Sequence, residues 1–219
     1  FKIADDKIIA STYDIEDTLN KVIKYNKYSR KIDGVICIAS DIPKTVAAIS
    51  TELCLPGLTS QTAHLATDKL AMKIRLSSDN IPIPWFKEIK SLSELKTIVE
   101  DSNFKLVIKP VDSRGARGVM LIPTSKDLDL NSIYQTSKSF SPSGRVMIEK
   151  FLEGLQISTE SLVINSKVHT IGIADRNYEY IDRFAPNIIE NGGQLPSSIS
   201  TITKEKIDRL IQETSNSLG

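Results

Sequence analysis

The strongest constraint on the fold is an alternation of short apolar runs with amphipathic segments, which occurs twice along the chain. In the first alternation, apolar residues recur at helical spacing through Asp14–Tyr28, between runs at Lys7–Ala10 and Asp33–Ala39. Pro43 begins a second helical segment, since proline is tolerated in the first turn of a helix. We therefore expect two strands and two helices in doubly wound α/β order.

The second alternation follows a helix predicted over Ser60–Ser78, and its elements are shorter. We expect strands at Trp85–Ile89, Phe104–Lys109, Val119–Ile122 and Arg145–Lys150, with helices at Ser91–Asp101 and within Lys126–Lys138. Further on, we expect a hairpin of Gln156–Ile164 and Lys167–Ala174, a long irregular loop at Arg176–Pro196 and a helix at Thr203–Leu218.

Composition narrows the class of protein. The 219 residues carry a formal charge of +1, with 40% hydrophobic and 25% charged residues, so neither wholesale disorder nor a nucleic-acid or membrane partner is expected. Cys37, Cys54, His64 and His169 show no spacing typical of a zinc site. Two thiols without disulfide-type spacing fit a cytoplasmic protein.

The loop that follows Lys109 is the most informative segment for function. Ser113, Arg114, Gly115 and Gly118 lie between two predicted strands, and glycine lets backbone N–H groups approach phosphate oxygens closely. The spacing matches neither a Walker motif nor a Rossmann fingerprint. An ordinary hairpin turn with solvated arginines remains an alternative for this loop.

The end of the last strand in this alternation has the geometry of an adenine site. An extended chain presents the carbonyl of Lys150 and the N–H of Leu152 on one edge, and Glu149 can accept another hydrogen from the base. A strand end with exposed charges is the alternative. Lys69 and Lys109 suit phosphate binding, although each alone also fits a surface lysine.

Taken in order, these motifs resemble those of the ATP-grasp superfamily. The resemblance is greatest to the carbamoyl-phosphate synthetase large chains, the purine-pathway carboxylate ligases and biotin carboxylase. It rests on Asp68-Lys69, Ile81-Pro-x-Pro84, Val107-Ile-Lys-Pro110, Ser113-Arg-Gly-x-Arg-Gly-Val119, Glu149-Lys-Phe-Leu-Glu-Gly154 and Ser158-x-Glu160.

The resemblance implies a domain organisation. Residues 1–58 would be the end of a Rossmann-like pre-ATP-grasp domain, and 59–82 linking helices. Residues 83–148 would form the small α+β lid lobe, and 149–219 the start of a large lobe that is incomplete at its C-terminus.

The resemblance also assigns residue roles. ATP would lie between the two lobes, with Lys69 and Lys109 on its phosphates and the loop of Ser113, Arg114, Gly115 and Gly118 as a lid. Glu149, Lys150 and Leu152 would bind adenine, and Gln156 would stand where the family usually has a ribose-binding glutamate. Arg176 and Arg183 would approach the acceptor substrate, although a solvated loop is an equal alternative there.

The metal ligands of the resembled family would follow Gly219, so Mg²⁺ is expected as a cofactor without ligands in residues 1–219. Glu160 and Asp175 could supply at most one contact. The chain is therefore expected to be a fragment without turnover of its own.

The function implied for the full-length parent is ligation of a carboxylate to an amine or thiol, through an acyl phosphate formed from ATP. A homodimer is possible. Two alternatives stay open: a non-catalytic nucleotide-binding module that uses the same cleft, and a plain α/β domain for a sugar nucleotide.

Overall fold

A computed structural model describes residues 4–38, 40–124 and 128–219. The chain forms two compact units, one ending at Thr67 and including Gly219, the other running from Asp68 to Leu218. No helix of the described ranges is both long and apolar enough to cross a bilayer. Every residue with a predicted site role belongs to the second unit.

The described residues of the first unit form three helices. They are α1 (Ile15–Tyr28), α2 (Pro43–Glu52) and α3 (Ser60–Thr67). α1 begins at the predicted place because the Asp14 carboxylate accepts a hydrogen bond from the N–H of Asp17 at 3.0 Å, which caps the helix.

The two strands predicted in the first unit are absent from its described residues, and this prediction was wrong. Residues 7–10 and 33–38 have no strand pairing, while Ala39 lies outside the described residues. Ile36 and Ile38 are 81% and 88% exposed. A strand needs a neighbour for its backbone N–H and C=O groups, and no described segment here provides one. Residues 4–38 and 40–67 therefore show no doubly wound sheet.

Asp68 divides the single helix predicted for Ser60–Ser78 into two. Its backbone is extended (φ −112°, ψ 103°), and its carboxylate caps the first turn of α4 (Lys69–Ser78). The same carboxylate accepts a hydrogen bond from the Arg145 guanidinium at 2.8 Å. The break thus comes from a capping residue with a second, charged partner.

Four short strands and two helices form the next part of the second unit. They are β1 (Phe86–Ile89), α5 (Leu92–Asp101), β2 (Leu106–Pro110), β3 (Met120–Ile122), α6 (Leu130–Ser139) and β4 (Val146–Lys150). The strand order is β1-β4-β2-β3, with every neighbouring pair antiparallel. All four predicted strands are confirmed. The start of the helix predicted within Lys126–Lys138 includes residues 126 and 127, which lie outside the described residues.

The two faces of this sheet have different neighbours. One face packs against α5 and α6 to form the main core, which comprises Ile89, Leu95, Leu106, Ile108, Met120, Ile122, Ile133, Tyr134, Val146 and Ile148. The other face carries a smaller apolar cluster of Leu70, Val111 and Met147. Side chains alternate along a strand, so Lys109 and Glu149, next to Ile108 and Ile148, lie on the second face.

The rest of the second unit is a hairpin with a long helix. Its elements are β5 (Gln156–Ile164), β6 (Lys167–Asn177), α7 (Ile181–Phe184), β7 (Gly192–Gln194) and α8 (Thr201–Leu218). The hairpin turn at Asn165 and Ser166 is confirmed. The irregular loop predicted for Arg176–Pro196 is wrong in part, because β7 pairs with the end of β6. A Cβ on Gly193 would lie 2.6 Å from the carbonyl oxygen of Asp175, so glycine permits this close pairing.

Replacing Asp68 with alanine is expected to lower the free energy of unfolding by about 2 kcal/mol, since it removes a helix cap and the acceptor of a charged group. Asp129→Ala is a matched control, because Asp129 caps α6 through two backbone N–H groups at 3.1 Å. We expect Asp129→Ala to lower the free energy of unfolding by about 1 kcal/mol, because it removes only a helix cap. Urea unfolding monitored by Trp85 fluorescence measures both, and equal losses would contradict a contribution from Arg145.

Candidate functional site

A buried cluster of three charged side chains lies on the second face of the sheet. The Glu149 carboxylate forms ion pairs with Lys109 of β2 and with Lys73 of α4. The side chains of Lys73, Glu149 and Lys109 are only 10%, 12% and 17% exposed. Lys73 Nζ lies 2.8 Å from Glu149 Oε2, but Oε2 accepts no well-aligned hydrogen bond from the described residues. The cluster therefore combines two cations with one anion.

The electrostatics of the cluster favour an ionised Glu149. Burial by itself raises the pKa of the Glu149 carboxyl, but the ammonium groups of Lys109 and Lys73 outweigh it and hold the pKa below its usual value. Glu149 is thus a charged counter-ion for both lysines at neutral pH.

A pH dependence follows from this depressed pKa. The ion pairs of Glu149 stabilise the fold above the unfolded-state pKa of about 4.3, and this contribution is lost as the pH falls through the lower folded-state pKa. We expect the stability advantage of the wild type over Glu149→Gln to shrink as the pH falls from about 5. Urea unfolding from pH 7 to pH 3 measures it. Glu100→Gln, at an exposed position, should parallel the wild type; a pH-independent difference for Glu149→Gln would contradict the ion pairs.

Lys69 lies at the start of α4 and contacts the glycine-containing loop. Its Nζ donates a hydrogen bond to the carbonyl oxygen of Ser113 at 2.6 Å, and its backbone N–H donates to the Val111 carbonyl at 2.8 Å. The structure therefore brings together two of the predicted residues, one from the helix and one from the loop.

The loop between β2 and β3 is anchored at its base and exposed at its tip. The Asp112 carboxylate accepts hydrogen bonds from Ser141 Oγ at 2.6 Å and from the Ser143 N–H at 3.0 Å. Residues 114–117 are exposed. Gly118 has φ +73°, and a Cβ there would lie 2.9 Å from the Pro110 ring. Glycine is required where the loop rejoins the sheet, and the residues before it are accessible to a ligand.

The segment after β4 borders a cavity of about 520 Å³, a size typical of small-molecule sites. The cavity is lined by Asn103, Phe104, Lys105, Thr124, Lys150, Phe151, Leu152 and Glu153. The N–H of Phe151 donates to the Lys105 carbonyl at 2.9 Å, which holds the segment against the start of β2. Lys150 Nζ lies 5.1 Å from the centroid of the Phe104 ring. Two predicted adenine-binding residues, Lys150 and Leu152, thus border the same cavity.

Other predicted residues lie outside these groups. Gln156 is exposed at the first position of β5. Arg176 forms an ion pair with Glu190 at 2.7 Å, and the Arg183 guanidinium lies 5.5 Å from the centroid of the Phe184 ring. Across residues 4–38, 40–124 and 128–219, no group of three or more His, Cys, Asp or Glu side chains is placed to hold a metal ion.

Lys73 was not predicted as part of the site. It lies one helical turn after Lys69, a spacing that also fits a solvated lysine. A signal was nevertheless present, since Lys73 lies midway between Leu70 and Leu76 on the buried face of α4. A lysine within an apolar stripe is rarely buried unless it is paired.

Comparison with known proteins places this architecture in the ATP-grasp superfamily, as the sequence motifs predicted. Residues 67–215 match the family model of the phosphoribosylglycinamide synthetase ATP-grasp (A) domain. The chain belongs to that family.

Individual relatives are distant. The arginine-specific large chain of carbamoyl phosphate synthase from Eremothecium gossypii is 25% identical over 124 residues, which are 56% of this chain and 11% of that protein. The crystal structure of L-amino acid ligase from Bacillus licheniformis superposes with a TM-score of 0.72 at 21% identity, over 94% of this chain and 47% of that one. An ADP complex of N5-carboxyaminoimidazole ribonucleotide synthetase superposes with a TM-score of 0.73 at 13% identity, over 99% of this chain and 53% of that one. The chain thus spans about half, or much less, of the proteins that it matches.

Proposed function

We propose that this chain is the nucleotide-binding part of an ATP-dependent ligase that joins a carboxylate to an amine or a thiol. The main support is threefold: Lys69 contacts a loop whose residues 114–117 are exposed, Lys109 lies on the strand that leads into this loop, and the neighbouring strand β4 ends at a cavity of about 520 Å³. Cations and a glycine-containing loop at one end, with a strand end beside a cavity at the other, suit a ligand with phosphates and a base. Family membership and a similar structure with bound ADP point the same way.

The residue roles in this proposal follow the chemistry of ATP. Lys69, Lys109 and the loop of Ser113–Gly118 bind the phosphates. The Lys150 carbonyl and the Leu152 N–H bind the edge of adenine, and Gln156 hydrogen-bonds a ribose hydroxyl. Arg176 and Arg183 remain candidates for the acceptor side, although Glu190 already neutralises Arg176.

In the reaction proposed for the parent protein, a substrate carboxylate attacks the γ-phosphorus of ATP and ADP leaves. The acyl phosphate is then attacked by an amine or a thiol, and phosphate leaves. The chain contributes by positioning and neutralising the phosphates, which is the main need of phosphoryl transfer. Mg²⁺ would add further neutralisation, although no three His, Cys, Asp or Glu side chains among the described residues are placed to hold it.

Two measurements test the proposal. Calorimetry on the chain should show ATP and ADP binding, and the full-length protein should release ADP with one pair from a panel of carboxylates and amines or thiols. Absence of nucleotide binding would contradict the proposal. Binding without ADP release from any pair would favour the non-catalytic module. Three expectations stay predictions: that residues 1–219 have no turnover of their own, that the protein forms a homodimer and that it is cytoplasmic.

The loop of residues 112–118 is expected to become protected from hydrogen exchange when ATP binds. Its tip is exposed, and little packing holds it, so it should exchange readily without nucleotide. Mass-spectrometric exchange with and without ATP measures the change, and the β5–β6 turn at residues 165 and 166 is the internal control. Full protection before ATP is added would contradict a role as a lid and favour a plain hairpin turn.

A further inference from the structure

Lys73 is a charged residue in an apolar position. It is 8% exposed and belongs to the buried face of α4 with Leu70 and Leu76. Its ammonium lies 5.7 Å from the centroid of the Phe86 ring and 2.8 Å from Glu149 Oε2. Burying an ammonium is costly unless it is paired, so Lys73 depends on the charge of Glu149 to be buried here, and Glu149 gains a permanent cation in return.

We propose that Lys73 is a positioning residue that keeps Glu149 ionised while Lys109 exchanges Glu149 for a phosphate group of the nucleotide. This inference rests on the proposed nucleotide site. A phosphate group near Lys109 Nζ competes with Glu149 for the charge and the N–H donors of a single ammonium, so the stabilisation that Lys109 gives the Glu149 carboxylate falls.

The surroundings of Glu149 make Lys73 the natural replacement partner. Lys109 faces Glu149 from β2 and Lys73 faces it from α4, while the neighbour on β1 is the apolar ring of Phe86. Lys69, one turn earlier on α4, instead donates to the Ser113 carbonyl. When Lys109 binds a phosphate group, Lys73 is therefore the cation among the described residues that still pairs with the Glu149 carboxylate.

The consequence is a proton balance that can be measured. A carboxylate that is buried and has lost its cations takes up a proton, because desolvation favours the neutral form. With Lys73 present, nucleotide binding should leave the protonation of Glu149 unchanged. Without Lys73, binding should draw about one proton from solution onto Glu149.

The experiment is ADP calorimetry in buffers of different ionisation enthalpy, which gives the number of protons exchanged on binding. Lys73→Met should take up about one proton more per ADP than the wild type near pH 7, and its relative affinity should fall by up to about tenfold per pH unit as the pH rises. Lys73→Arg keeps the charge and should behave as the wild type. Because ADP is the ligand for every variant, protons exchanged by its phosphates contribute equally and cancel in the difference between variants.

Two controls sharpen the result. Lys87→Met removes a lysine whose ion pair with Glu94 is half exposed, and it should leave proton exchange unchanged. In the double variant Lys73→Met with Glu149→Gln, the extra proton uptake should disappear, because the titrating carboxyl is gone.

Equal proton exchange in the wild type and Lys73→Met would overturn the inference while leaving the nucleotide site intact. Absence of ADP binding by the wild type would overturn both. If Lys73→Met does not fold, ¹³C NMR of the Glu149 carboxyl in the wild type decides. It should stay ionised at pH 7 with ADP bound, and protonation on ADP addition would overturn the role of Lys73.

Discussion

Ile148→Ala is expected to lower the free energy of unfolding by about 3 kcal/mol, the usual loss for truncating a buried isoleucine. Ile148 is fully buried at the centre of β4, where it pairs with Lys87 of β1 on one side and with Ile108 of β2 on the other. The cavity would open in the middle of the main core, where rigid strands on both sides limit collapse.

Trp85, the single tryptophan of the chain, lies just before β1 and reports on this sheet in urea unfolding. Ile74→Ala is the matched control, since Ile74 is 57% exposed on α4 and should cost less than about 0.5 kcal/mol. A loss below about 1 kcal/mol for Ile148→Ala would contradict the central position of β4.

Lys109→Met is expected to weaken ATP binding by about 1.5–3 kcal/mol, roughly ten- to 150-fold, because it removes a charge-assisted hydrogen bond to phosphate. Methionine retains much of the apolar stem. The variant also takes one of its two cations from Glu149, so part of the loss reflects a less favourable charge balance near the anionic ligand.

Calorimetry with ATP measures this loss, and Lys87→Met serves again as the control. Lys87 belongs to the same sheet, but its side chain is half exposed and pairs with Glu94, so its removal should change the affinity less than twofold. Unchanged ATP affinity in Lys109→Met would remove Lys109 from the nucleotide site.

Strands β2, β3 and β4 could be predicted because each contains a continuous apolar run of three residues between polar segments. Val146, Met147 and Ile148 are all buried, as expected for a strand that is covered on both faces. The similar apolar run at Asp33–Ala39 led to a wrong strand prediction. A strand is stable only beside a neighbouring strand, and the local sequence does not reveal whether one is present. The interruption of the predicted helix at Asp68 was missed, because it depends on two hydrogen-bond partners of the Asp68 carboxylate. One is in the next helical turn, and the other, Arg145, is distant in sequence.

The sequence indicated individual residues of the candidate site but not the contacts between them. Lys69, Lys109 and the loop follow from motif order. The pairing of Lys109 with Glu149 depends on the antiparallel register of β2 and β4, in which Val107 lies opposite Glu149. A role for Glu149 as counter-ion of two lysines could not be inferred from strand spacing alone, because Lys73 comes from a different element.

The strand order also has a consequence for how the protein is made. β4, the last strand of the four in sequence, lies between β1 and β2. While the ribosome has not yet released Val146–Lys150, β1 has no partner in this sheet and β2 can pair only with β3. Translation must therefore proceed past β4 before the sheet can close, and until then the apolar side chains of β1 and β2 are exposed to chaperones and to aggregation.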